Sequence, residues 1–225
     1  MIEPDLSHAI EQAGLLIVAV RPANVMALLG QIRKNSQTKG VKRRRGDLLV
    51  CSLAAGIPLA RLRAHLSAPF RWARAMPSPV ARIGNGLTAV AFDRGVPKAG
   101  RALVHQFFAN VSTVVEVPET RFDVFTVAYS PSHGYHALEA LAEAARRLGL
   151  DRNTAFTAAA HALADAIQSW REGNQSLEAL LHEAATPGGI AATVTNSMNA
   201  SGYARILEKA LRAGVARAHA NSQLR

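Results

Sequence analysis

The sequence of 225 residues holds one cysteine, Cys51. A lone thiol excludes a disulfide within the chain and fits a reducing compartment, so a cytoplasmic location is expected. Cys51 lies in an apolar strand pattern and reads as a small core residue rather than a nucleophile. No apolar run approaches the length needed to span a membrane. Met1-Ile2-Glu3-Pro4-Asp5 lacks the charged and apolar regions of a secretory signal. Acidic residues are scarce: 16 Asp and Glu against 26 Lys and Arg leave a formal charge of +10, which favours anionic partners. No aromatic residue interleaves with Lys39, Lys42, Arg43, Arg44 and Arg45. That argues against stacking on single-stranded nucleic acid, and a basic loop of this kind reads first as solvated. His133 and His136 sit one turn apart without a spaced carboxylate or cysteine, so no metal is expected. Internal repeats and low-complexity segments are missing too.

What is present is a globular, alanine-rich composition, 49% hydrophobic, with length for one large domain or two small ones. Residues 132–189 are a run of helices ending in Thr186-Pro187-Gly188-Gly189. A first helix is expected over 134–148, with Leu138, Leu141, Ala145 and Leu148 as its apolar stripe and Glu143 paired with Arg147. Gly149 is placed to close it and Asp151 to cap the next. That next helix, 153–172, is apolar almost all round (Phe156, Leu163, Ile167 and many alanines), as in a helix buried on several sides. A third helix, 177–185, leads into the Thr-Pro-Gly-Gly turn. Such a region needs more apolar surface than one copy supplies, so it reads as a dimerisation domain.

The first half alternates. Strands are expected at 15–20, 48–52, 71–76, 87–92 and 113–117, with helices at 5–13, 24–34, 59–66 and 98–109. That order describes a mostly parallel sheet, and the chain turns all-helical after about Pro118. Ligand crevices in such sheets lie at the carboxyl ends of the strands. Three of these ends carry small or Pro- and Gly-containing loops: Ala19-Val20-Arg21-Pro22, Ser52-Leu53-Ala54-Ala55-Gly56 and Ala75-Met76-Pro77-Ser78. Each exposes backbone where a nucleotide could lie.

These loops, in this order, resemble the pyrroline-5-carboxylate reductase family. Ala19-Val20-Arg21-Pro22 resembles its AVKP loop, and Ser52-Leu53-Ala54-Ala55-Gly56 its SIAAG loop. Arg74-Ala75-Met76-Pro77-Ser78-Pro79 resembles its RAMPNTP segment, and Gly84, Gly86, Thr88 and Ala89 resemble the spaced glycines and the Thr-Ala pair beyond that segment. Val114 to Glu119 is similar to its VVEVPE strand, Glu139 to Ala145 to its EALADAA helix, and Thr186-Pro187-Gly188-Gly189-Ile190-Ala191 to its SPGGTT turn. The resemblance implies an α/β fold followed by an all-α part. A partial Rossmann-like parallel sheet would occupy 1–118, and a helical dimerisation and substrate domain 119–225. It also implies reduction of a cyclic imine, Δ1-pyrroline-5-carboxylate, to L-proline by NADPH or NADH in a homodimer or higher homo-oligomer. By this resemblance Ala19, Val20, Arg21, Pro22, Ala54, Ala55, Gly56, Met76, Pro77 and Ser78 bind the cofactor. Ser130, Ser132, Gly188 and Gly189 bind the substrate. His133, Glu139 and Thr186 are catalytic candidates, and Thr186 is also a candidate cap for the helix after it.

The sequence departs from the family where chemistry is concerned. It has no G-x-G-x-x-G loop for the cofactor pyrophosphate, so a shortened, divergent member is expected. Its 15–20 strand would then be an apolar edge, covered by upstream coding residues or by another chain. Ser78 replaces the family asparagine. Ile190 and Ala191 replace two threonines, and apolar side chains there cannot donate hydrogen bonds to a substrate. Two alternatives to the reductase are therefore carried: a non-catalytic dimeric relative that has lost its cofactor, and a nucleic-acid binder that uses Arg43, Arg44 and Arg45.

Overall fold

The structure, a computed structural model, describes residues 6–37, 48–83 and 86–223. The basic cluster from Lys39 to Arg45 and Gly84 lie outside the described residues. The chain divides into two compact units, Met1–Tyr129 with Leu211–Arg225, and Ser130–Ala210.

In the first unit five strands, β1 (Leu15–Val18), β2 (Leu48–Ser52), β3 (Phe70–Pro77), β4 (Gly86–Phe92) and β5 (Ser112–Glu116), form one sheet in that order. Helices α1 (Leu6–Gln12), α2 (Val25–Gln37), α3 (Leu59–His65), α4 (Lys98–Ala109) and α5 (Glu119–Ala128) connect and cover it. The β1–β2, β2–β3 and β4–β5 pairs are parallel, and β3–β4 is antiparallel. The reversal follows from chain length. A parallel crossover needs a dozen or more residues, and the link from Pro77 to Gly86 is shorter.

Strand alternation sorts the core onto two faces. Leu48, Val50, Phe70 and Trp72 pack with α2 and α3 through Leu29, Ile32 and Leu62, and with Phe122 of α5. Leu49, Cys51, Ala73, Ala75 and Val90 pack with Val104 and Phe108 of α4. Trp72 is fully buried, and its Nε1 donates to Leu66 O at 2.8 Å, which satisfies the one polar atom of the indole.

Most expected elements are found within a residue or two of their expected ends. The first strand stops at Val18, and β1 is an edge strand of the described sheet. The Val114 to Glu119 segment is not strand throughout. β5 ends at Glu116, and Pro118 is the N-cap of α5, so Glu119 is helical. Proline has no N–H to extend the ladder, yet is tolerated where a helix begins.

The second unit holds α6 (Pro131–Arg147), α7 (Arg152–Glu172), α8 (Leu177–Ala184), α9 (Ile190–Ala200) and the start of α10 (Tyr203–Asn221), whose last half belongs to the first unit. The turn between α6 and α7 is built as expected. Gly149 adopts φ +109°, and the Asp151 carboxylate accepts from Asn153 N and Thr154 N. Glu143 takes hydrogen bonds from both Arg146 and Arg147. Of the expected apolar stripe, Leu138 and Ala145 are half-buried, and Leu141 and Leu148 are exposed within the chain. Leu148 is the C-cap and 89% exposed, and the buried residue of α6 is Ala142. On α7 the buried residues are Ala155 and Ala159, small side chains that suit close packing of two helices. The rest of α7 is not buried within the chain: Phe156, Ile167 and Trp170 are all exposed.

Candidate functional site

Because β1, β2 and β3 run parallel, their carboxyl ends leave the sheet at one edge. Register fixes this: Val18 pairs with Ser52, and Ser52 with Arg74. Leu53 N donates to Val18 O at 2.9 Å. Ala19 and Arg21 are exposed there, and Val20, Pro22, Ala55, Met76 and Pro77 are half-buried. Ala54, Gly56 and Ser78 are buried. Ala54 N donates to Ser52 Oγ at 3.3 Å, and Ser78 Oγ accepts from Val80 N at 3.2 Å. Those three shape the edge, and the others offer it to a ligand. Short side chains, open backbone and the Arg21 cation fit part of a nicotinamide nucleotide laid across the strand ends.

Behind this edge sits a buried cation that sequence reading did not single out. Arg74 is 1% exposed. Its Nη1 donates to Glu119 Oε1 at 3.0 Å and its Nη2 to Asp123 Oδ1 at 2.7 Å, and its guanidinium lies 4.4 Å from the Phe122 ring centre. Glu119 Oε1 also accepts from Leu59 N at 2.8 Å, at the end of the loop that follows β2. One carboxylate thus fastens the second strand-end loop to the β3 arginine. Tyr129 adds a further tie, its hydroxyl accepting from Leu87 N at 2.8 Å.

In the helical unit the candidates fall at two helix starts. Ser130 and Ser132 share a hydrogen bond of 2.7 Å, and His133 N donates to Ser130 O at 3.1 Å, where α6 begins. His133 is exposed, as is Glu139 farther along α6. Gly188 adopts φ +78°, and Gly189 N donates to Thr186 O at 2.9 Å, where α9 begins. Thr186 does not cap that helix. The N-cap is Gly189, and neither it nor Ser130 makes a side-chain cap hydrogen bond. Two helix starts without side-chain caps suit a carboxylate.

Burial pushes the Cys51 thiol up to about 12, so it is neither a nucleophile nor a ligand at neutral pH. Among the described residues no group of three His, Cys, Asp or Glu could hold a metal, and no helix is long and apolar enough to cross a membrane.

Comparison with known proteins agrees with this architecture. Residues 119–221 match the family model described as pyrroline-5-carboxylate reductase dimerisation. The pyrroline-5-carboxylate reductase of Mycobacterium tuberculosis is 28% identical over 230 residues, 94% of this chain and 77% of the relative. That of Methanosarcina acetivorans is 26% identical over 203 residues, 89% and 72%. The solved pyrroline-5-carboxylate reductase of Coxiella burnetii has a TM-score of 0.82 at 25% identity, covering 98% of this chain and 80% of that one. The Plasmodium falciparum pyrroline carboxylate reductase, solved with NADP bound, shares the fold with a TM-score of 0.84 at 17% identity, covering 98% and 82%. The exposed apolar faces of α7 to α10 fall inside the matched dimerisation segment, as surface for homo-oligomerisation. With the dimerisation segment matched over residues 119–221 and the whole chain aligned with solved and curated relatives, the chain is similar in sequence and fold to the pyrroline-5-carboxylate reductases.

Proposed function

We propose that the chain is an NAD(P)H-dependent oxidoreductase that reduces Δ1-pyrroline-5-carboxylate to L-proline as a homodimer or larger homo-oligomer. The observation that carries this reading is the parallel set of β1, β2 and β3 ends with their three short loops at one edge. When bound, a reduced nicotinamide supplies a hydride to the imine carbon. The C=N π electrons pass to nitrogen, which takes up a proton, so one hydride and one proton convert imine to amine. The protein's part is mostly positioning.

Arg21 and the open backbone of Ala19, Val20 and Ala55 are assigned to the nucleotide, with Pro22, Met76 and Pro77 along its path. Ala54, Gly56 and Ser78 hold the loops in shape. The N–H of Gly188 and the hydroxyls of Ser130 and Ser132 are assigned to the substrate carboxylate, and Gly189, whose N–H is held by Thr186 O, to the shape of the turn beside it. His133 is assigned to proton delivery, since an imidazole can carry a proton near neutral pH. Glu139 and Thr186 are assigned to its support.

Titration of the purified chain with NADPH and NADH, followed by addition of Δ1-pyrroline-5-carboxylate, tests this. The expected result is saturable binding and imine-dependent loss of the reduced-nicotinamide absorbance. A folded chain that binds neither nucleotide would sink the reductase reading. It would favour a non-catalytic relative, consistent with Ile190 and Ala191 after the Pro-Gly-Gly turn.

A further inference from the structure

The loop after β2 is held from a distant part of the chain. Gly56 adopts φ +75°, and a Cβ there would lie 2.2 Å from Ala218 O and 2.9 Å from Asn221 Cβ. No side chain fits between this loop and the last turns of α10. Asn221 Nδ2 donates to Ala55 O at 3.4 Å, across 166 residues of sequence. Ala218 is 6% exposed, buried against the loop. A second close approach seats the same helix on α5, where a Cβ at Gly214 would lie 2.6 Å from Val127 Cγ1. All of these residues belong to the sheet unit.

We infer that the last turns of α10 position the nucleotide site, with Ala218 and Asn221 setting the backbone of Ala54, Ala55 and Gly56 at the carboxyl end of β2. This inference rests on the cofactor reading above. The loop's far end is fixed separately, by Leu59 N on Glu119. Its near end continues from β2. The middle is the span that these two anchors leave to α10, and it includes half-buried Ala55 at the ligand edge. Asn221 touches no ligand in this scheme; it is a positioning residue acting through the Ala55 carbonyl. Nucleotide affinity should therefore respond to a side chain on the last turn of a helix that the strand-end pattern does not include.

The test is Asn221→Ala, read by NADPH titration and by hydrogen exchange over residues 53–58. The expected result is a Kd about three- to tenfold higher, the size of one lost hydrogen bond. Exchange in that loop should be faster, with β2 unchanged. In turnover the effect falls on KM for NADPH more than on kcat. Gly56→Ala, which forces the loop off Ala218, should weaken binding by about tenfold or more. Wild-type binding with an unchanged Asn221→Ala Kd and unchanged loop exchange overturns this inference alone. Wild-type protein that binds no nucleotide overturns it together with the cofactor reading.

Discussion

Arg74 reaches Asp123 at 2.7 Å from a side chain that is 2% exposed, while Asp123 itself is 18% exposed. A cation so placed is held by its partners rather than by water. Arg74→Met would leave Asp123 and Glu119 with no counter-charge in a partly desolvated site. The expected cost is about 3 kcal/mol, the lower part of the range for breaking a buried pair, because Leu59 N still donates to Glu119 Oε1. Urea unfolding followed by circular dichroism measures it. In a double-mutant cycle with Asp123→Asn, a coupling of about 1–3 kcal/mol is expected. A coupling indistinguishable from zero would mean that the pair contributes nothing beyond packing.

Cys51 offers a test of core integrity. With its thiol raised to about 12 by burial, the thiolate needed for attack is scarce at neutral pH. A disulfide reagent should leave the folded chain unlabelled for as long as the sheet stays closed and label it fully in denaturant. Fast stoichiometric labelling under native conditions would contradict the packing of β2.

The end of α6 should be acid-sensitive. Hydrogen bonds from Arg146 and then Arg147 hold the Glu143 carboxyl down at about 2, from an ordinary 4.5. A depressed carboxyl contributes its stabilisation in full above the ordinary value and loses it as pH falls through the depressed one. The last turn of α6 should therefore be equally protected from exchange at all pH values above about 4.5 and fray as pH falls towards about 2. In Glu143→Gln that dependence should vanish. A pH profile shared by both proteins would assign the fraying elsewhere.

Self-association should depend on the exposed face of α7. Ile167 is 55% exposed within the chain. Ile167→Asp sets a charge where the partner would bury it, and association should weaken by about tenfold or more, since each 1.4 kcal/mol is a decade. Light scattering after size exclusion reads the mass directly. An unchanged mass at low micromolar concentration would remove Ile167 from the interface.

How far the sequence announces this depends on range. The 98–109 helix is legible to the residue, because Pro97 marks its start and the apolar spacing runs unbroken to Ala109. The Asp151 cap is legible for a similar reason: its partners, Asn153 and Thr154, are two and three residues away. The partners of Arg74 are not, because Glu119 and Asp123 lie 45 and 49 residues on. A charge in mid-strand gives no sign of what will meet it, and Glu119 in Val-Pro-Glu looks like a strand end. The exposure of Leu141 and Leu148 is not legible, because helical spacing marks an apolar face without saying whether the same chain covers it. The strand-end loops are visible as motifs, but the turn of α10 on Gly56 joins segments that no local pattern connects.

The two tryptophans fall in different units. Trp72 is sealed in the sheet core with its indole N–H bonded to Leu66 O, and Trp170 lies on α7 at 49% exposure. Their emission should separate into a blue component that iodide cannot quench and a red one that it can. The blue component reports whether the sheet is folded. The red one should shift and lose its quenching as subunits meet, so one fluorescence spectrum follows folding and assembly as separate events.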